Sequence, residues 1–206
     1  MIYGKPKLLI ATTNPGKLAE LHGLLLALPI KLQSLADLSS YTEVAETGST
    51  FSENARLKAA GYAEQGQMAT LADDSGLEIA ALAGDPGVRS ARYGDPDITF
   101  ADRIQLLLKA MNSKPDHDRR ARFVCSVAIT DSDGHIVHTS EGICNGKIAR
   151  EARGDLGFGY DPIFVPDGFD QTFGELSNYV KQKISHRASA FARIIPFLRD
   201  NIAILT

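Results

Sequence analysis

Leu8-Leu9-Ile10-Ala11-Thr12-Thr13-Asn14-Pro15-Gly16-Lys17 reads as a short buried strand that turns directly into a helix. The apolar run suits a buried strand, and the polar turn after it suits a helix start. Asn14 is a good N-cap, because its side-chain oxygen accepts a backbone N–H that the first turn leaves unmatched. Pro15 fits the first helical position, where no N–H is needed. Leu18, Leu21, Leu25 and Leu28 then recur at helical spacing.

Outward from this unit, Ile30 to Leu35 alternates as a second strand does, and Glu43 to Ser49 is a polar loop. Thr50-Phe51-Ser52-Glu53 is a capping box that opens a helix to about Gln65. Met68 to Asp73 reads as an apolar strand that finishes on acidic residues, with a turn at Ser75-Gly76 as the plain alternative. Gly84 to Asp97, rich in Gly, Pro and Asp, reads as loop, and Thr99 to Met111 as helix. Ala121 to Thr130 and His135 to Ile143 are β-type runs whose Asp133-Gly134 connection predicts a hairpin. Gly154 to Phe164 is a glycine-rich loop entering a strand, and Ala188 to Ile202 is a closing amphipathic helix. Strand–helix alternation followed by a hairpin predicts an α/β fold with a mixed sheet. No repeat or linker divides the chain, so residues 1–206 are expected to form one domain, with room for two lobes.

Composition narrows the class. With 44% hydrophobic and 23% charged residues, the chain is ordinary globular material rather than disordered or fibrous. Twenty-two Lys and Arg against 25 Asp and Glu leave a charge of −3, which argues against a nucleic-acid polymer as partner. Cys125 and Cys144 lack metal-type spacing and are too few for a disulfide framework. The start, Met1 to Lys7, has no apolar segment of signal-peptide length. The longest apolar stretch, Leu24 to Ile30, falls far short of the ~18 residues that cross a bilayer. A cytoplasmic protein with reduced thiols and no membrane partner is expected.

Four places have the residue types for chemistry. The Thr12–Lys17 turn puts helix N–H groups and a lysine where an anion would sit, though an ordinary capped helix start also fits and no P-loop spacing is present. Glu46, Asp73 and Asp74 offer the hard oxygen ligands that Mg²⁺ takes. Asp73 and Asp74, if extended, point to opposite faces of the sheet, so one would face the reaction and the other organise its surroundings. In Gly154–Pro162, glycines beside Phe158 and Tyr160 would let a flat ligand approach a ring, and both rings look exposed. Ser185-His186-Arg187 opens the last helix, where Ser185 is a cap candidate. His22, His117, His135 and His138 show no catalytic partner or metal spacing, and they and the cysteines read as incidental.

The order of the motifs is more specific than any one of them. Thr-Thr-Asn-Pro-Gly-Lys at 12–17, Glu-Thr-Gly-Ser-Thr-Phe-Ser-Glu-Asn-Ala at 46–55 and Ala-Asp-Asp-Ser-Gly-Leu at 72–77 come first. Pro-Gly-Val-Arg-Ser-Ala-Arg-Tyr at 86–93, Gly-Phe-Gly-Tyr-Asp-Pro-Ile-Phe at 157–164 and Ser-His-Arg at 185–187 come after them. Together they resemble the inosine/xanthosine triphosphate pyrophosphatase family, the RdgB-type dITP/XTP pyrophosphatases, over nearly the whole chain. The resemblance implies a homodimer whose subunits have a long mixed sheet with flanking helices and two lobes around a central substrate cleft. It implies Mg²⁺-dependent hydrolysis of ITP, dITP and XTP, free purine nucleotides, to the monophosphate and pyrophosphate. By the same resemblance Thr12, Thr13, Asn14, Lys17 and Lys58 bind the triphosphate, and Ser75 makes a further substrate contact. Glu46, Asp73 and Asp74 form the metal site, with Asp74 as general base. Phe158, Gly159, Tyr160, Asp161, His186 and Arg187 recognise the base, and Lys181 stands at the family's late lysine as a further substrate-binding residue. Thr13 stands where many bacterial relatives carry Gly, and Val180 where many carry Glu.

Two competing readings use the same residues. One is a nucleotide-sensing module without catalysis, which would need no general base. The other is a hydrolase of pyrimidine or modified nucleotides, as in the similarly folded Maf-type proteins.

Overall fold

The structure, a computed structural model, describes residues 5–95, 97–113 and 119–205. The first four residues and His117 lie outside the described residues. In chain order the elements are β1 (Lys7–Ile10), α1 (Pro15–Leu25), β2 (Lys31–Ser34), α2 (Phe51–Gly66), β3 (Thr70–Ile79) and α3 (Phe100–Asn112). They continue with β4 (Arg120–Thr130), β5 (Ile136–Ile148), β6 (Phe164–Pro166), α4 (Asn178–Ile184) and α5 (His186–Asp200). The six strands form one sheet in the order β2-β1-β3-β4-β5-β6. β1 runs parallel to β2 and β3, whereas β5 is antiparallel to β6, so the sheet is mixed as expected.

The chain divides into two compact units. The first comprises Met1–Asp74, Cys125–Gly142 and Ala190–Thr206, and the second Ser75–Val124 and Ile143–Ser189. In the first unit, period-two alternation distributes each strand between two layers. Leu8, Ile10, Leu71, Cys125, Val127 and Ile129 pack with Leu21 and Leu25 of α1 and Phe191, Ile194 and Leu198 of α5. Leu9, Ala11, Ala72 and Ala128 face the other way, onto Ala55, Ala59 and Tyr62 of α2. Leu8, Leu9 and Ile10 are fully buried, which explains the unbroken apolar run in β1. Fully burying a side chain of this kind stabilises the fold by about 1.5–3 kcal/mol.

In the second unit Leu77 and Ile79 of β3 pack with Leu107 and Met111 of α3 and with Phe123, Phe164 and Phe173. This unit departs from the expectations in two places. β3 does not finish at the acidic pair but continues through Asp74-Ser75-Gly76 to Ile79, since it is flanked by β1 and β4 and its next apolar residues are buried. Within the expected loop at 84–97, Gly87–Arg92 coils into a 3-10 helix. The Ser90 hydroxyl donates to the Gly87 carbonyl at 2.7 Å and accepts the Leu77 N–H at 2.9 Å, tying that turn to β3. The Pro-Gly-Val-Arg-Ser motif thus has a structural task of its own.

Candidate functional site

The predicted residues fall into two groups, one in each unit. In the first unit Asn14 caps α1 as expected, its Oδ1 accepting the Lys17 N–H at 3.0 Å. Thr12 Oγ1 accepts the Asn14 N–H at 3.2 Å, while Thr13 is exposed. Lys17 Nζ lies 3.3 Å from Asp73 Oδ2. On α2 the capping box at Thr50 forms, and the face bearing Asn54, Lys58 and Tyr62 turns inward because these residues share the helical repeat. Lys58 Nζ donates to Glu46 at 2.7 Å and lies 3.6 Å from Asp74 Oδ1.

Asp73 and Asp74 are both buried and part company as alternation requires. Asp73 shares the Leu71 side of β3, near Lys17 and the Cys125 thiol, and Asp74 shares the Ala72 side, near Asn54 and Lys58. Glu46 and Asp74 therefore meet at one ammonium, and Asp73 sits with another. Burial pushes the Asp74 carboxyl above the usual carboxylate range, against the pull of Lys58 and Lys17. For Lys58, burial works against the ammonium, but Asp74, Asp73 and Glu46 together outweigh it and raise its pKa.

The donors suit a hard divalent cation: carboxylate oxygens on two elements, one of them a buried Asp whose ionised form a cation would favour. Among the described residues, the acidic and histidine side chains that bring three ligand atoms within 4.8 Å of one another are Asp131, Asp133 and His135, in the exposed loop after β4. Glu46, Asp73 and Asp74 do not converge that closely. His135, incidental by its sequence context, thus stands in a small polar cluster. Asp131 organises that loop, accepting the N–H groups of Asp133 and His135.

In the second unit Arg187, only 1% exposed, donates to Ser75 Oγ at 3.0 Å. Ser185 caps α5, its Oγ accepting the Ala188 N–H. His186 is stacked on Phe123 with ring centroids 4.7 Å apart. Asp161 is buried, forms an ion pair with Lys181 and accepts the Phe158 N–H at 2.8 Å. Lys181 Nζ also lies 4.6 Å from the Phe158 ring centre, a cation–π distance. Gly157 has a left-handed φ of 73°, and a Cβ there would overlap the Asp161 carboxylate, so the glycine is required. Asp161 supplies the support for Lys181 that a Glu at position 180 would otherwise suggest, and Val180 packs against the core instead.

Tyr160 departs from its expected exposure. It is buried, edge-on to Phe100 at 5.4 Å, and its hydroxyl donates to the Ser90 carbonyl. Burial pushes its phenol pKa up. Phe158 is half-buried, so neither aromatic is exposed as expected, and Phe158 is the more accessible of the two. Asn54 escapes a reading of the motifs alone: fully buried, it donates to Asp74 Oδ2 at 3.1 Å and accepts the Gly48 N–H at 2.8 Å. The available signal was its place four residues before Lys58 on one helix face.

A family model described as the Ham1 family matches residues 8–197. This chain belongs to the Ham1 family. It is 46% identical over 190 residues to a protein of Synechocystis named dITP/XTP pyrophosphatase, covering 92% of this chain and 94% of that one. A Mycobacterium tuberculosis protein of the same name is 46% identical over 197 residues, with 94% and 96% covered. The solved structure of a HAM1 protein from Coxiella burnetii superposes with a TM-score of 0.86 at 42% identity, covering 95% of this chain and 99% of that one. The Ham1 protein of Staphylococcus aureus gives 0.83 at 36% identity, with 94% and 98% covered. The fold is thus that of solved Ham1 proteins, and the expected enzyme class, a nucleoside-triphosphate pyrophosphatase, agrees with the names of its curated relatives. Among the described residues no helix is long and apolar enough to cross a membrane.

Proposed function

We propose that this Ham1 protein hydrolyses the non-standard purine triphosphates ITP, dITP and XTP to the monophosphate and pyrophosphate, with Mg²⁺, as a cytoplasmic homodimer whose chain acts as one catalytic domain. The observation that carries the catalytic part is Asp74: a buried carboxylate whose Oδ2 is held by Asn54 and whose Oδ1 faces Lys58, beside Glu46. The dITP/XTP pyrophosphatase names of relatives at 46% identity support the substrate class.

Glu46 and Asp74 would hold the metal ion, with Asp73 keeping Lys17 in place. Bound there, Mg²⁺ supplies charge neutralisation and a lowered pKa for a coordinated water. The protein's own residues do the rest. A triphosphate carries about four negative charges, and Lys17, Lys58 and the α1 N-terminus offset part of that load. Asp74 accepts the proton of the attacking water as pyrophosphate leaves. Arg187, Ser75 and the backbone around Phe158 and Gly159 read the base, with the Phe158 ring as the stacking surface. Hypoxanthine and xanthine present a 6-oxo acceptor and an N1–H donor, which adenine reverses. A site built on that pattern leaves buried groups unpaired against ATP, worth up to ~10⁴–10⁵-fold in discrimination. Initial rates on ITP, XTP, GTP and ATP with Mg²⁺ test the reading: ITP and XTP should lead, and equal rates on all four would overturn the selectivity.

A further inference from the structure

Asn54 and Lys58 lie one helical turn apart on the inward face of α2, and each joins the Glu43–Ser49 loop to β3. Lys58 does so with charge, through Glu46 and Asp74 Oδ1. Asn54 does so with a neutral amide, through the Gly48 N–H and Asp74 Oδ2. The amide orientation is set by its partners. Gly48 directs its N–H at the side chain, so the amide oxygen faces it, and the NH₂ is left to meet the carboxylate. The reverse orientation would set donor against donor and acceptor against acceptor.

The approach is tight at the loop end. A Cβ on Gly48 would lie 2.7 Å from Asn54 Oδ1 and 2.6 Å from Glu53 Cβ, so glycine is what lets the loop backbone reach the amide. Asn54 itself is completely shielded from solvent. Water therefore offers no replacement for either hydrogen bond, and the loss of either leaves a buried polar group to be satisfied elsewhere.

From this geometry we infer that Asn54 is a positioning residue for the hydrolysis. By occupying Oδ2 it fixes the plane of the Asp74 carboxylate and leaves Oδ1 as the oxygen that works, and through Gly48 it holds the backbone two residues from Glu46. The inference rests on the proposed role of Asp74 as base. Asn54 touches neither substrate nor metal in this scheme and acts only through Asp74 and the loop.

The test is steady-state kinetics on ITP with saturating Mg²⁺ for Asn54→Ala, Asn54→Asp and Asp74→Asn, each also tracked by thermal melting. Displacement of a reacting group by about 1 Å costs on the order of 10²-fold, so kcat should fall ~10–100-fold in both Asn54 variants. KM should stay within about threefold, because ground-state binding is untouched. Asn54→Asp separates positioning from scaffolding. It keeps the acceptor for Gly48, so a merely structural role predicts recovery relative to Asn54→Ala. Positioning predicts no recovery, since the donor to Asp74 has become a like charge. A folded Asn54→Ala with kcat within about twofold of wild type, or a recovery of kcat by Asn54→Asp, overturns the inference. If Asn54→Ala does not fold, Gly48→Ala strikes the same link from the loop, and an unchanged kcat there is equally fatal. Near-normal turnover by Asp74→Asn would instead remove the proposed base, a failure distinguishable from that of Asn54.

Discussion

The two groups of site residues use charge in opposite ways. In the first unit Lys17, Lys58, Glu46, Asp73 and Asp74 form ion pairs at 2.7–3.6 Å, and Glu46 keeps 29% of its side chain exposed. On the proposed reading these partners exchange, even though Asp73 and Asp74 are themselves buried: a phosphate would replace a carboxylate at a lysine, and a cation would replace the lysine at a carboxylate. In the second unit Asp161, Lys181 and Arg187 are at most 3% exposed and lie among Phe158, Phe173 and backbone donors. Charge buried in this manner sets shape, because breaking a buried pair leaves an uncompensated ion. The lesson is that the presence of acidic and basic residues in a motif does not say whether they react or brace; burial and partners do.

The comparison breaks most sharply at Asp74. Asp74→Asn should lower turnover by ~10²–10⁴-fold, measured as pyrophosphate release, while ITP still binds by calorimetry. Near-normal turnover would place Asp74 with the bracing charges. Next in size is Lys181→Met, which strands Asp161 and should cost about 3–5 kcal/mol of stability in urea unfolding. A loss below about 1 kcal/mol would show that the second group is as exchangeable as the first. Phe158→Ala should raise KM for ITP roughly tenfold with little change in melting temperature, since the ring is only half-buried and base stacking is worth ~1–3 kcal/mol. A large fall in melting temperature with unchanged KM would assign that ring to the core.

The smallest expected effect is in pH dependence, and burial gives its sign. Asp74 binds its proton more tightly folded than unfolded. In chelator-treated protein its contribution to stability is therefore greatest at acid pH. It declines as pH rises from the ordinary value of 3.8 through the higher folded value. Lys58 is raised in the same sense: its contribution is complete below 10.5 and is lost as pH rises through the folded value. Urea titrations across acid and alkaline pH measure both contributions. The carboxyls of Asp37, Glu53 and Asp131 are held below the usual range and contribute the opposite slope. The sign for Asp74 is therefore read from the difference between wild type and Asp74→Asn. That difference should fall across the acid range, and a rise would reverse the assigned sign.

Local signals carried most of the fold. The β1–α1 turn was legible because its cap, its proline and its leucine spacing all act within a few residues. So was the opposite facing of Asp73 and Asp74, which needs only an extended backbone. The strand end was not. Asp73-Asp74-Ser75-Gly76 looks like a turn, and pairing across the sheet overrides that preference. α4 escaped notice because seven residues are too few for a periodicity, although Ser177 caps it.

In the site, the sequence determined which residue types stand at each motif and the order in which the motifs come, and those were enough to point to a family. Only the tertiary structure decided what each residue does. It sent the Tyr160 ring into the core, set Asp161 to hold a lysine and a loop, and turned Asn54 onto Asp74. Caps, turns and alternation are governed by neighbours in the chain, so they can be read along it. A polar side chain's task depends on what distant segments bring within about 3 Å and on whether water can compete there, and neither is written in local order.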